Sequence, residues 1–210
     1  MKIFTIKESL VYGWGKFKEN AELSILTTLF VLALGFASPE QMRDYGILGL
    51  LSTILIGVLL IIVEIGYRKI FLRMNDGEKP KFKDIFSEYK LFWKYIGLSI
   101  LVGLVTFIGF ILLIIPGIIF ALRYSFATFI LVDTRSGIRA AMKESGNITK
   151  GSKWKLLGFW IVIGILNIVG IMAFGIGLLI SIPVTAFASV YVYRALSRAK
   201  AAIVEELPAA

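Results

Sequence analysis

Two long apolar runs leave this chain few ways to fold. Tyr95 to Val132 is 38 residues long with one charge, Arg123, and Leu156 to Tyr193 is also 38 residues long with none. As helix, at about 1.5 Å per residue, either run is nearly twice what a hydrocarbon layer of about 30 Å requires. Each must double back. Ile115, Pro116 and Gly117 lie halfway along the first run, and Gly170, Gly175 and Gly177 lie near the middle of the second. Proline removes a backbone donor and glycine relaxes the steric limits of a turn, so these are the expected reversals. Leu23 to Pro39 and Tyr45 to Tyr67, the latter with Glu64 as its one charge, make a further hairpin.

The expected fold is all-α: a polytopic membrane bundle of six transmembrane helices arranged as three hairpins. Composition agrees, since the chain is 58% hydrophobic and 18% charged with a mean hydropathy of +0.84, more apolar surface than a water-soluble domain can hide. Polar or mixed residues precede Leu23. That run is therefore expected to be a retained span and not a cleaved leader. The net charge of +9 reads as topology and not as a nucleic-acid surface. Of the 23 Lys and Arg, 21 fall before the first span, in the connectors Arg68–Lys94 and Asp133–Lys155, or in the tail. Positive charge collects on the cytoplasmic side, so both termini are expected there, in the bacterial inner membrane, with Arg43 in an outer loop.

An amphipathic stretch precedes each hairpin and carries a basic–acidic pair. An aromatic–lysine pair follows it. The copies are Lys7-Glu8 with Phe17-Lys18, Lys83-Asp84 with Trp93-Lys94, and Lys143-Glu144 with Trp154-Lys155. Each is expected to be an interfacial helix whose aromatic sits at headgroup level while lysine reaches for water. The repeats run over about 5–73, 81–133 and 137–197 of a single membrane domain spanning 1–210, with 198–210 as a cytoplasmic tail.

The chain has no Cys and no His, which removes thiol nucleophiles, imidazole bases and the commonest zinc ligands. No catalytic constellation, metal site or cofactor motif emerges. What remains is a set of polar residues inside apolar runs. Arg123 lies ten residues before Asp133, about 15 Å along a helix from the expected cytoplasmic edge. A charge at such depth calls for an aqueous cavity, a carboxylate or several carbonyl partners, to coordinate an anionic headgroup or line a polar cleft; the alternative is an internal salt bridge or a local bend after Pro116 that brings the side chain nearer to an interface. Tyr124, Ser125 and Thr128 could add hydrogen bonds. Glu64 is the carboxylate to consider for Arg123, with pairing to nearby basic residues as the alternative, and Asn167 could bond a neighbouring helix or a substrate.

Ile115-Pro116-Gly117, Arg123-Tyr124-Ser125-Phe126-Ala127, Val132-Asp133, Ala141-Met142-Lys143-Glu144-Ser145 and Thr149-Lys150-Gly151 together resemble a broad set of uncharacterised bacterial inner-membrane proteins. These include the YciC-like family and the membrane domain that accompanies some glycerophosphodiester phosphodiesterases. The resemblance implies a multi-helical membrane domain of unassigned biochemistry and does not carry hydrolase activity over to this chain, with Arg123 and Lys143-Glu144-Ser145 in its core motif. The expected role is that of an integral membrane scaffold or accessory protein in contact with lipids and with a membrane-protein partner. The alternative is binding or transport of a lipid or small solute through a polar cleft at Arg123; an enzyme is less expected.

Overall fold

The computed structural model describes residues 3–36 and 46–205, which form helices joined by short turns and no strand. Arg43 and Tyr45 lie outside the described residues. Helix α1 (Ile6–Glu19) opens on a reciprocal cap, in which the Thr5 hydroxyl accepts from the Glu8 amide and the Glu8 carboxylate accepts from the Thr5 amide. Such a cap satisfies two amides that helix geometry leaves without partners. At Asn20 the chain bends by 98° into α2 (Ala21–Phe36). There follow α3 (Gly46–Asn75), two 3-10 turns (Phe82–Phe86 and Tyr89–Leu91), α4 (Phe92–Leu112) and α5 (Ile114–Tyr124). The remaining helices are α6 (Ala127–Thr134), α7 (Ile138–Ile148), α8 (Lys153–Met172) and α9 (Leu178–Glu205).

Among the described residues five segments are long and apolar enough to cross a membrane: Gly46–Asn75, Phe82–Leu112, Ile114–Thr134, Lys153–Met172 and Leu178–Ile203. The bent pair α1 and α2 brings the number to six only if it is taken as one span. Ile47, Leu55, Phe107, Ile111 and Met172 stand more than half exposed, as lipid-facing residues do and water-facing ones rarely do. The chain is accordingly a helical membrane protein.

Three details differ from the sequence reading. The first long run reverses at Leu113, not at Pro116-Gly117: Leu113 is extended (φ −168°, ψ 155°), and Pro116 falls in the first turn of α5, where a missing amide donor costs nothing. Gly117 instead lets α4 and α5 close up, since a Cβ there would collide with the Phe110 ring and one on Gly109 would lie 3.0 Å from the Gly117 Cα. Second, the returning arm is not one helix, because it breaks at Ser125 and Phe126 between α5 and α6. Third, the stretch before the second hairpin is not an amphipathic α-helix but the 3-10 turn Phe82–Phe86. The Asp84 carboxylate accepts from the Lys81 amide and from Arg73 Nη1 at 3.0 and 2.9 Å, and these bonds pin the segment across the end of α3. Gly66 makes that contact possible, as any Cβ at 66 would overlap the Ile85 carbonyl. The second reversal is where it was expected, between α8 and α9, with Phe174 and Gly175 at positive φ (55° and 77°) and Gly170 close against Gly177.

Helix α9 is the hub, touching α1, α2, α3, α7 and α8. Phe71, Phe126, Phe159 and Phe187 are fully buried around it. Gly13 brings α1 onto α9, where a Cβ would stand 2.5 Å from the Val184 carbonyl oxygen and 3.1 Å from the Ala188 nitrogen. At one end of the bundle Arg194 binds two carboxylates at once. Its Nη2 donates to Asp76 at 2.6 Å and to Asp133 at 3.0 Å, and Nη1 donates to Asp133 at 2.5 Å, where the Tyr193 hydroxyl also donates. Asp76 follows α3, Asp133 belongs to the last turn of α6, and Arg194 lies within α9, so the ends of α3 and α6 meet beside α9.

Candidate functional site

The residues of the central motif form one physical unit. Because the helix breaks after Tyr124, the Arg123 carbonyl loses its place in a continuous ladder and must find donors elsewhere. It finds one on α7, where Ser145 Oγ donates at 2.8 Å; the Thr149 hydroxyl, just past the helix end and 3.3 Å from the same carbonyl, makes its shorter bond to the Ser145 carbonyl at 2.8 Å. Ser145 and Thr149 are fully buried, one turn apart on the inner face of α7, with Ala141 and Ile148 beside them. Ser125 Oγ donates to the Leu122 carbonyl at 2.9 Å, and Thr128 is half-buried in the first turn of α6.

The Arg123 guanidinium is not buried among the spans. It is exposed, lies over the Tyr124 ring at 5.6 Å, and crosses Gly146, where a Cβ would come within 2.8 Å of Nε. It forms no ion pair with Glu64. Glu64 is bonded to Arg68, one helical turn along α3, at 2.6 Å, which is the pairing with a nearby basic residue that was the alternative. Arg139 and Lys143 stand on the same face of α7 as Gly146, opposite the buried face, and Lys150 follows just past the helix end. All three are exposed, and neither they nor Arg123 is bonded to a carboxylate among the described residues. Next to this row an apolar groove runs between α5 and α8, walled by Ile115, Ile118, Ile119, Leu122 and Leu157, with Lys153 and Trp154 at its mouth.

A second polar place lies between α3, α6, α8 and α9. Its residues are Arg68, Tyr67, Trp160, Asn167, Thr185 and Ser189, against the apolar Phe71 and Phe129. Arg68 Nε donates to the Tyr95 hydroxyl at 3.1 Å, and the guanidinium stacks 5.2 Å from the Phe129 ring. Asn167 therefore shares a cleft with Arg68 and not with Arg123. The sequence reading missed Arg68, counting it among connector charges. The available signal was its position one turn after Glu64 and between Tyr67 and Phe71, within a helical stripe of bulky residues.

The expected anchors divide. Trp93 (78% exposed) and Trp154 (85%) stand out from the bundle, as do Lys94 and Lys155. Phe17 does not, being 6% exposed and packed inward; Trp14, its neighbour one turn earlier, is the exposed aromatic of α1 and lies under Lys18 Nζ at 5.9 Å. Outside the spans, Arg135 embraces the buried Glu88 with two bonds at 3.1 and 2.7 Å, and that carboxylate holds the guanidinium above its ordinary pKa. Among the described residues no group of three His, Cys, Asp or Glu stands close enough to hold a metal ion.

Comparison with known proteins adds kinship. The uncharacterised protein Rv2560 of Mycobacterium tuberculosis is 31% identical, in an alignment covering 92% of this chain and 69% of that protein. The chain belongs to the family of that protein. The uncharacterised protein Mb2590 of Mycobacterium bovis belongs with them at the same identity and coverage. A family model described as a protein of unknown function (DUF975) matches residues 104–200, the part that holds the Arg123 unit, α7, α8 and most of α9. No solved structure matches. The family carries no assigned biochemistry.

Proposed function

We propose that this chain is a multi-pass accessory protein of the bacterial inner membrane that holds an anionic phospholipid at the Arg123 corner. The observation that carries the reading is the row formed by Arg123 over Gly146 with Arg139, Lys143 and Lys150, exposed cations with no carboxylate bonded to them among the described residues, beside an apolar groove. Basic clusters at a membrane surface attract anionic lipid by about 1 kcal/mol per Lys or Arg. A planar guanidinium adds two parallel donors for a phosphate. The groove between α5 and α8 suits an acyl chain. The scaffold role fits the same arrangement, since a lipid held at the rim fixes how the bundle sits among its neighbours. Six spans in three repeated hairpins with N- and C-termini inside remain the topology that the charge distribution supports, and the YciC-like resemblance is compatible with it.

Purification in native lipid, followed by mass spectrometry of retained lipid, tests the site. The wild-type chain is expected to retain phosphatidylglycerol or cardiolipin in preference to phosphatidylethanolamine, and Arg123→Met to lose that preference. Equal lipid profiles would refute it. Single-cysteine labelling tests the topology in a chain with no native Cys: positions 18, 81, 153 and 200 should be shielded from outside reagent, and positions 43, 113 and 175 should react.

A further inference from the structure

The cleft between α3, α6, α8 and α9 offers hydrogen-bonding groups that the protein does not use. The indole Nε1 of Trp160 and the amide Oδ1 of Asn167 are both buried and both without a partner among the described residues. One is a donor and the other an acceptor. They lie seven residues apart on α8, so they share a face two turns apart and look into the same cleft. On the opposite wall Thr185 Oγ1 and Ser189 Oγ spend their protons on carbonyls of their own helix, at 2.8 Å each, and keep lone pairs for an incoming donor. Arg68 closes one end, but Glu64 at 2.6 Å already neutralises it and Tyr95 takes its Nε proton. The rest of the lining is aromatic and aliphatic, including Phe71, Phe129, Ile163 and Ile182.

We infer that this cleft binds an uncharged amphiphile whose polar end carries both a hydroxyl and an ester or amide carbonyl, of the diacylglycerol class. The reasoning is one of complementarity. A water-poor setting penalises an unpaired donor and an unpaired acceptor alike, and a group with one of each satisfies both. An anionic headgroup would meet a guanidinium already taken, beside the Glu64 carboxylate. A pure hydrocarbon would leave Trp160 and Asn167 unpaired. The site is separate from the Arg123 corner, and its occupant differs in charge.

The test uses the full chain in nanodiscs of phosphatidylethanolamine and phosphatidylglycerol with a photoactivatable diacylglycerol, read by mass spectrometry of the labelled peptides. Labelling is expected to concentrate on α8 and α9 near Asn167 and Thr185. Unlabelled diacylglycerol should compete it away, whereas added phosphatidylglycerol should not. Trp160→Phe, which keeps a ring against Phe126 and Phe159, and Asn167→Leu should each lower labelling about fivefold, the value of one buried hydrogen bond. Arg123→Met should leave it unchanged. Labelling spread evenly over the lipid-facing helices, or equal competition by phosphatidylglycerol, would overturn the inference. Because the competition arm needs no variant, misfolding of either substitution would not spare it.

Discussion

Arg194 and Arg123 are both arginines on helices that end near connectors, yet the chain treats them in opposite ways. Arg194 is held by the carboxylates of Asp76 and Asp133, and its side chain is 22% exposed. Arg123 is exposed, meets a glycine and a tyrosine ring, and is anchored through its backbone carbonyl and not through its charge. A cation whose charge is satisfied inside the protein ties elements together. One whose main chain is fixed while its charge is left over is presented to something outside. The same division separates Arg73 and Arg135, each bonded to acids, from Arg139, Lys143 and Lys150.

The comparison breaks first if Arg194 proves dispensable. Arg194→Met leaves two carboxylates without their cation where the ends of α3 and α6 meet α9, and should cost roughly 2–3 kcal/mol in reversible unfolding from mild detergent. Asp133→Asn on that background should recover part of the loss. The next effect in size belongs to the anchor: Ser145→Ala strips the side-chain donor from the Arg123 carbonyl and should cost about 1–2 kcal/mol, measured the same way. Gly146→Ala sharpens the contrast. Its Cβ would stand 2.8 Å from Arg123 Nε, so the guanidinium must leave its seat. Stability should change by less than about 1 kcal/mol while retained anionic lipid falls. Smallest in stability is Arg123→Met itself, expected within about 0.5 kcal/mol of wild type. Glu64→Gln added to it should restore nothing, because Glu64 answers to Arg68.

Much of the architecture was legible. The doubling back of both 38-residue runs follows from length against bilayer thickness, and charge asymmetry grouped the ends that Asp76, Asp133 and Arg194 bring together. The misreadings have local physical causes. Pro116 was taken for a breaker, but proline is tolerated in a first helical turn, and nothing in the identity of Leu113 announces an extended backbone. The break after Tyr124 is hidden because its rescue comes from Ser145, on another helix. Arg123 drew attention because hydropathy measures neighbours in sequence, and its sequence neighbours are apolar. Arg68 escaped notice for the converse reason. It stands among charges along the chain and among aromatic rings in space.

The seating of α1 on α9 has a consequence for the order of events during synthesis. Gly13 is made well before its partners Val184 and Ala188. Until α9 is made, α1 therefore lacks its main native surface and has only its smaller contacts with α2 and α8, and its exposed Trp14 and Lys18 suit a wait at the headgroup level. The bundle closes only when the last long helix arrives. A ribosome stalled before α9 would leave inserted spans, an unseated first helix and two aspartates still without Arg194.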